Sequence, residues 1–127
     1  MSGYISASDI KILKNEKITH IINLTAHQCE NLHNNYVSYS NFELSDNSNF
    51  DLMPIIQEIT EIIYNKTNKG INVLVHCRMG VSRAPSIIIA FLIKQFRMDF
   101  HSAFDHVFQI NSKISPNLGY LMQLQKL

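Results

Sequence analysis

The stretch INVLVHCRMGVSRAPSIIIAFLI, residues 71–93, decides the fold of this chain. Residues 71–76 at its start are nearly all apolar, which is typical of a short strand inside a parallel sheet. A second apolar run covers residues 87–93, where three adjacent isoleucines taken alone would favour a strand. Because Pro85 precedes this run and the apolar pattern continues beyond it, we predict a buried helix instead. Residues 77–83 are then a loop that leads from a strand into a helix.

Strands and helices alternate along the rest of the chain. Residues 18–24 are predicted to form a buried strand, and residues 36–44 a weaker one because their alternation is imperfect. Apolar residues at helical spacing predict further helices over residues 9–16, 52–68, 101–110 and 117–125. The expected helix caps are Ser6 or Ser8, Asp51 and Asn117. This order predicts a single α/β domain over residues 1–127, three-layered, with a mainly parallel central sheet of four or five strands flanked by helices.

The composition is that of an ordinary globular protein. Apolar residues make up 46% of the 127 residues and charged residues 17%, which excludes a disordered tail, a collagen and a disulfide scaffold. The net charge of +1 gives no bulk electrostatic case for binding to nucleic acid or to a membrane. No apolar run is long enough to predict a transmembrane span.

The cysteine content points to a reducing compartment. Cys29 and Cys77 are too few for a disulfide framework, and the first residues contain no apolar segment of the secretory type. We therefore expect a cytoplasmic protein, with the nucleus as a second compartment, and we expect it to be a monomer.

The loop over residues 77–83 has the features of an anion site. Where a strand ends and a helix begins, backbone amides and the positive end of the helix dipole point toward one place. Gly80 permits the backbone torsions that such a tight loop needs. His76, just before the loop, is expected to hydrogen-bond nearby backbone and so to support the loop rather than donate a proton.

The same loop carries a nucleophile and a fixed positive charge. Cys77 stands at the mouth of the anion site, where the positive field favours the thiolate form of its side chain. Arg83 closes the loop with a planar guanidinium that suits two phosphate oxygens. A thiolate beside a phosphate cradle indicates nucleophilic attack on a phosphate ester, with neither a metal nor a cofactor required.

The loop and its flanks resemble a known enzyme family. The pattern His76-Cys77-x5-Arg83 resembles the active-site motif of the cysteine-dependent protein tyrosine phosphatase superfamily. The fuller string HCRMGVSRAPSIIIAFLI, residues 76–93, is similar to the dual-specificity branch of that superfamily. ITHIINLT (residues 18–25) and ISPNLGYLMQL (residues 114–124) resemble two further segments of this branch, so the likeness covers nearly the whole chain.

The resemblance implies a fold, an activity and a set of site residues. The fold would be protein tyrosine phosphatase-like, and the reaction would be hydrolysis of phosphotyrosine and of phosphoserine or phosphothreonine in a protein, through a phosphocysteine intermediate. Cys77 would be the nucleophile. Because Arg78 is the one basic residue at loop positions where lipid phosphatases place several lysines, a phosphoprotein substrate is favoured over a phosphoinositide. The implied phosphate-binding residues are Arg78, Met79, Gly80, Val81, Ser82 and Arg83.

The family also uses an aspartate upstream of the cysteine as its general acid, and two candidates occur here. Asp46 follows the second predicted strand closely, which matches the place of the acid in the family pattern. Asp51 directly precedes an apolar-periodic run, where an aspartate is an ordinary helix cap. We therefore assign Asp46 as the general acid and Asp51 as the cap.

Two alternative functions remain open. One is a phosphopeptide-binding pseudophosphatase or slow-turnover module, and the other is a phosphatase of a non-protein phosphate ester. The first is kept because Ala84 follows the loop arginine, where most relatives have a serine or threonine whose hydroxyl can stabilise the departing thiolate. For the second alternative, the near-neutral charge of the chain argues against a nucleic acid as the substrate.

A second cluster, His27-x-Cys29-x3-His33, has the look of a metal site. It offers only three ligands and no nearby fourth, so we interpret it as a surface loop and expect no metal. A regulatory disulfide between Cys29 and Cys77 is a further alternative, because a reactive thiolate is prone to oxidation.

Overall fold

A computed structural model describes residues 1–127 as six helices and three strands. None of the helices is long and apolar enough to cross a membrane. In chain order the elements are α1 (Tyr4–Ala7), α2 (Ile10–Asn15), β1 (Ile18–Asn23), β2 (Ser38–Asn41), α3 (Met53–Asn68), β3 (Asn72–His76), α4 (Arg83–Phe96), α5 (Phe100–Ile110) and α6 (Leu118–Leu124).

The sheet is parallel throughout its three strands, in the order β2-β1-β3. The prediction of four or five strands is wrong in number, because the chain before α1 contributes only one bridge, between Ser2 and His76. The predicted strand over residues 36–44 is also shorter than expected. Only Ser38–Asn41 pairs with β1 in parallel, and the segment then crosses to an antiparallel bridge between Thr25 and Glu43.

Two hydrophobic clusters cover the two faces of the sheet, which gives the three expected layers. Neighbouring strand residues alternate between the faces, as the two-residue period of a strand requires. Ile21 and Leu74 face the smaller cluster with α1 and α2, whereas Ile22 and Val75 face the larger cluster with α3, α4, α5 and α6. The end of β3 therefore emerges between the two helical layers, where the loop over residues 77–83 begins.

The start of α4 decides where the loop ends. The helix begins at Arg83, earlier than the apolar run at residue 87 indicated, and Pro85 lies in its first turn. A proline is tolerated there because the first amides of a helix have no partner within the helix. The ambiguous run of isoleucines is thus helical, as predicted, and Ile87 and Ile89 are fully buried.

The helix caps agree with the prediction at α6 and differ at α2 and α3. The N-cap of α3 is Leu52, which makes no side-chain cap hydrogen bond, and Asp51, just before it, accepts from the Met53 amide at 3.1 Å. Asn117 caps α6 by accepting a hydrogen bond from the Tyr120 amide at 2.9 Å. The cap of α2 is Asp9, which accepts from the Lys11 amide at 2.9 Å, rather than Ser6 or Ser8. Ser6 lies within α1 and Ser8 is the residue directly after it. Because α1 is a helix of only one turn, no apolar period in the sequence predicts it.

Candidate active site

The sulfur of Cys77 lies at the focus of the loop between β3 and α4. Its Sγ accepts hydrogen bonds from the amides of Gly80 at 3.2 Å and Ala84 at 3.4 Å. These two donors come from the middle of the loop and from the first turn of α4. Converging amides and a helix N-terminus stabilise negative charge, so the arrangement favours a thiolate and can receive an anion.

The first residues of the chain hydrogen-bond to the loop over residues 77–83, a contact that the sequence analysis did not predict. The Tyr4 amide donates to the Arg78 carbonyl at 2.9 Å, and the Cys77 amide donates to the Ser2 carbonyl at 3.3 Å. Gly80 has φ +76°, and a Cβ there would lie 2.6 Å from the Gly3 nitrogen. Both the torsion and the close approach therefore require glycine at this point of the loop.

Arg83 is held almost fully buried at the base of the site. Its Nη1 donates to the Leu44 carbonyl at 3.1 Å, which ties the guanidinium to the segment that follows β2. Its Nε is buried without a hydrogen-bond partner. A buried unpaired donor is rare in proteins, and an oxygen of a bound anion would satisfy it.

Asp46 and Arg83 line the same cleft, of about 660 Å³. The other lining residues are His27, Gln28, Glu43, Leu44, Ser45, Arg78 and Met79. A larger cavity of about 790 Å³ lies near the starts of β1 and β3, and no cysteine, histidine or arginine lines it. Because parallel sheets bind their ligands at the carboxyl ends of the strands, the smaller cleft is the candidate site.

The two aspartates have separate surroundings. Asp46 Oδ1 accepts hydrogen bonds from Ser82 Oγ at 2.8 Å and from Asn117 Nδ2 at 2.9 Å, so the carboxylate is joined to the loop over residues 77–83 and to the cap of α6. Asp51 Oδ1 accepts from the Met53 amide at 3.1 Å, at the start of α3. The structure thus brings Asp46 to the cleft and leaves Asp51 at a helix end.

His76 lies at the end of β3, directly before the loop. It is buried, and its Nδ1 donates to the Cys77 carbonyl at 3.2 Å. Burial lowers the pKa of His76 below its usual range, with the hydrogen bond to Cys77 acting in the opposite direction. The neutral imidazole ring therefore donates a hydrogen bond to a backbone carbonyl.

Tyr120 is a further residue near the cleft that the sequence analysis did not identify. Its hydroxyl donates to the carbonyl of Ser45, directly before Asp46. Burial raises the pKa of Tyr120 far above its usual range, and the charge of Asp46 adds to this effect. The phenol therefore remains a hydrogen-bond donor.

The three residues of the metal-like pattern have other contacts. His27 Nδ1 contacts the carboxylate of Glu43, and the ring of His33 donates from Nε2 to the Ser8 carbonyl at 2.7 Å. Cys29 is buried, and neither it nor Cys77 forms a disulfide. The structure contains no group of three or more side chains arranged to hold a metal ion.

Comparisons with known proteins give relatives over the whole chain. Residues 1–127 match the family described as dual specificity phosphatase, catalytic domain. The chain is 35% identical over 120 residues to the protein phosphatase Slingshot homolog of Xenopus laevis, covering 94% of this chain and 17% of that protein.

Two solved structures have the same fold. DUSP15 has a TM-score of 0.92 at 24% identity, covering 99% of this chain and 80% of that one. The human tyrosine phosphatase-like serine/threonine/tyrosine-interacting protein has a TM-score of 0.89 at 29% identity, covering 98% of this chain and 86% of that one. The chain spans less than a fifth of the length of the Slingshot relative, but the family match includes every residue. The chain therefore belongs to the family of dual specificity phosphatase catalytic domains.

Proposed function

We propose that this chain is a single catalytic domain over residues 1–127 that hydrolyses phosphotyrosine and phosphoserine or phosphothreonine in proteins. One observation carries the proposal. The Cys77 sulfur lies where the amides of Gly80 and Ala84 converge, and Arg83, at the start of α4, has a buried Nε without a partner. A bound phosphate places three oxygens around such a centre and supplies the missing acceptor.

In the first step the Cys77 thiolate attacks phosphorus, and the bond from phosphorus to the leaving oxygen breaks. The loop amides and the guanidinium of Arg83 bind the non-bridging oxygens. Asp46 transfers a proton to the leaving oxygen, which departs as an alcohol or a phenol. The product of this step is a phosphocysteine. The shared cleft of Asp46 and Arg83 supports this division of roles.

In the second step a water molecule attacks the phosphocysteine. Asp46, now a carboxylate, accepts the proton from the water, and the bond between sulfur and phosphorus breaks. Inorganic phosphate leaves and Cys77 returns to the thiolate. The amides of Gly80 and Ala84 are both within hydrogen-bond distance of the sulfur and stabilise the negative charge of the thiolate that forms.

The cleft and the cysteines also support a proposal for the substrate class and the compartment. The cleft is lined by both polar and apolar side chains, and its basic residues are His27, Arg78 and Arg83. This supports a phosphoprotein substrate rather than a nucleic acid or a phosphoinositide. Two unpaired cysteines support a reducing compartment, cytoplasmic or also nuclear, and we propose a monomer.

A second candidate is a module that binds phosphopeptides with little turnover. One of the two similar solved structures is that of the human tyrosine phosphatase-like serine/threonine/tyrosine-interacting protein, whose name describes an interacting protein. In addition, Ala84 leaves the Cys77 sulfur with amide donors and without a hydroxyl. Slow breakdown of the phosphocysteine would turn the same site into a trap for phosphorylated partners.

An assay with an aryl phosphate separates these candidates. We expect hydrolysis that orthovanadate inhibits and a chelator does not, that is lost in Cys77→Ser, and that persists in the matched buried control Cys29→Ser. Peptides with phosphotyrosine, phosphoserine or phosphothreonine then define the substrate range. Absence of turnover by the wild-type chain, together with phosphopeptide binding, would favour the binding module.

A further inference from the structure

The segment that carries Asp46 is held by the carboxyl-terminal helix. Residues 45–52, which we call the acid loop, contain no helix or strand. The Tyr120 hydroxyl donates to the Ser45 carbonyl at one end of the acid loop. At the other end, Gln123 Oε1 accepts from the Leu52 amide at 2.7 Å and its Nε2 donates to the Phe50 carbonyl at 2.8 Å. The side chains of α6 thus bind both ends of the loop.

Between these ends the two segments touch backbone to backbone. A Cβ on Gly119 would overlap the carbonyl of Ser48, lying 2.6 Å from its carbon atom. The obstructing atoms belong to main chain, so no side-chain rotation can make room. Any residue larger than glycine at this position must displace either α6 or the acid loop.

The carboxylate of Asp46 is fixed through one of its two oxygens. Ser82 Oγ and Asn117 Nδ2 both donate to Oδ1. The backbone amide of Asn117 in turn donates to Ser82 Oγ at 3.1 Å, so the three residues form a closed network of hydrogen bonds. Because both donors bind Oδ1, the other oxygen, Oδ2, is the one left to carry a proton toward a substrate.

We propose that α6 and its cap Asn117 form a positioning element for the general acid, with Gly119 as its closest contact and Asn117 as its link to the carboxylate. This inference rests on the proposed function, in which Asp46 protonates the leaving oxygen. A proton donor must be held within hydrogen-bond reach of the atom that it serves. The acid loop has no secondary structure of its own, so α6 supplies that rigidity.

Asn117 has two contacts that can be separated by substitution. Its Oδ1 accepts from the Tyr120 amide and caps α6, whereas its Nδ2 donates to Asp46. Asn117→Asp keeps an oxygen for the cap and replaces the donor to Asp46 with a second carboxylate oxygen. A purely structural role of Asn117 predicts little change in this variant, whereas a positioning role predicts a loss of acid catalysis.

The test compares two substrates, phenyl phosphate with a poor leaving group and 2,4-dinitrophenyl phosphate with a good one. We expect Gly119→Ala and Asn117→Asp to lower kcat/KM at least roughly tenfold for phenyl phosphate and less than about threefold for the dinitrophenyl ester. In an Asp46→Asn background neither substitution should lower kcat/KM further. Met122→Ala, on the exposed side of α6, is the matched control and should behave as wild type.

Three results would overturn the inference. Equal losses for both substrates, or losses that add to that of Asp46→Asn, would mean that α6 acts through the loop over residues 77–83 or through the stability of the fold. An unchanged kcat/KM for phenyl phosphate in Asn117→Asp would remove its link to the acid.

Hydrogen exchange separates a failure of this inference from a failure of the proposed function. If the wild-type chain hydrolyses neither ester, the proposed function is wrong. The positioning element is then judged by amide exchange over residues 45–52, which should be faster in Gly119→Ala than in wild type. Unchanged exchange would show that α6 does not hold the acid loop.

Discussion

The amide of Ala84 donates a hydrogen bond to the Sγ of Cys77 at 3.4 Å, and the side chain of Ala84 is a fully buried methyl group. The sulfur therefore has a backbone donor at the start of α4 and no hydroxyl beside it. Ser82, on the other side of Arg83, does not replace that hydroxyl, because its Oγ donates to Asp46. In the proposed mechanism, the departing thiolate would therefore be stabilised by backbone amides and by no hydroxyl.

Ala84→Ser should accelerate breakdown of the phosphocysteine. A hydrogen bond to a charged group contributes about 1.5–3 kcal/mol, which corresponds to roughly tenfold to a hundredfold in rate if it is fully expressed in the transition state. In stopped-flow experiments the wild-type chain should release a burst of leaving group followed by slow turnover. The serine variant should show a smaller burst and a larger kcat.

Ala84→Gly is the matched control, because it changes the same side chain without adding a hydroxyl. Its burst should equal that of the wild type. If the wild type shows no burst and Ala84→Ser leaves kcat unchanged, another group stabilises the thiolate and the explanation from Ala84 is wrong.

Binding of inorganic phosphate should stabilise the chain through Arg83. The unpaired Nε and the planar guanidinium favour an oxygen anion, and a ligand at one hundred times its Kd stabilises the folded state by about 2.7 kcal/mol. Phosphate or orthovanadate should therefore raise Tm in a thermal unfolding experiment. Arg83→Lys removes the planar fork and should lose most of that rise.

The exposed Arg97, at the end of α4, provides the control for this experiment. Arg97→Lys should keep the full rise of Tm with phosphate. A rise that persists undiminished in Arg83→Lys would place the anion elsewhere on the surface.

Acidification should destabilise the fold through His20. The ring of His20 is buried between two serines of β2, with Nδ1 2.6 Å from Ser38 Oγ and Nε2 2.9 Å from Ser40 Oγ. Burial lowers the pKa of His20, and the nearby charge of Lys66 lowers it further. The unfolded chain then binds the proton more readily than the folded chain. This contribution is present above the unfolded pKa of about 6.5 and is lost as the pH falls.

Urea unfolding at about pH 7.5 and about pH 5.5 measures this effect. The free energy of unfolding should be smaller at the lower pH, and His76, whose pKa burial also lowers, acts in the same direction. His20→Gln should reduce the difference between the two pH values, whereas His101→Gln, at an exposed position, should not. Equal differences in both variants would exclude His20 as the cause.

The parts that the sequence predicted well are local in the chain. The strand, loop and helix around Cys77 follow from adjacent residues, because apolar runs and a proline within the first turn specify them directly. The cap of α6 follows from Asn117 alone in the same way.

The parts that the sequence did not predict depend on contacts between distant segments. The hydrogen bond from Asn117 to Asp46 joins residues 71 positions apart, and no local pattern encodes it. The close approach of Gly3 to Gly80 is of the same kind, since either glycine alone reads as an ordinary turn residue. The missing fourth strand has a similar origin, because the chain turns into α1 after a single bridge at Ser2.

The assignment of the general acid rests on the different partners of Asp46 and Asp51, and paired substitutions test it. Asp46 lines the cleft, so Asp46→Asn should lower kcat/KM for phenyl phosphate by about 10²–10⁴ and have much less effect on the dinitrophenyl ester, which needs no proton. Asp51 accepts one hydrogen bond from the Met53 amide at the start of α3, so Asp51→Ala should lower the free energy of unfolding by about 0.5–1.5 kcal/mol. Its effect on kcat/KM should be small and equal for both esters. If the dependence on the leaving group changes in Asp51→Ala instead, Asp51 is the acid, and the contacts of Asp46 with Ser82 and Asn117 only stabilise the loop.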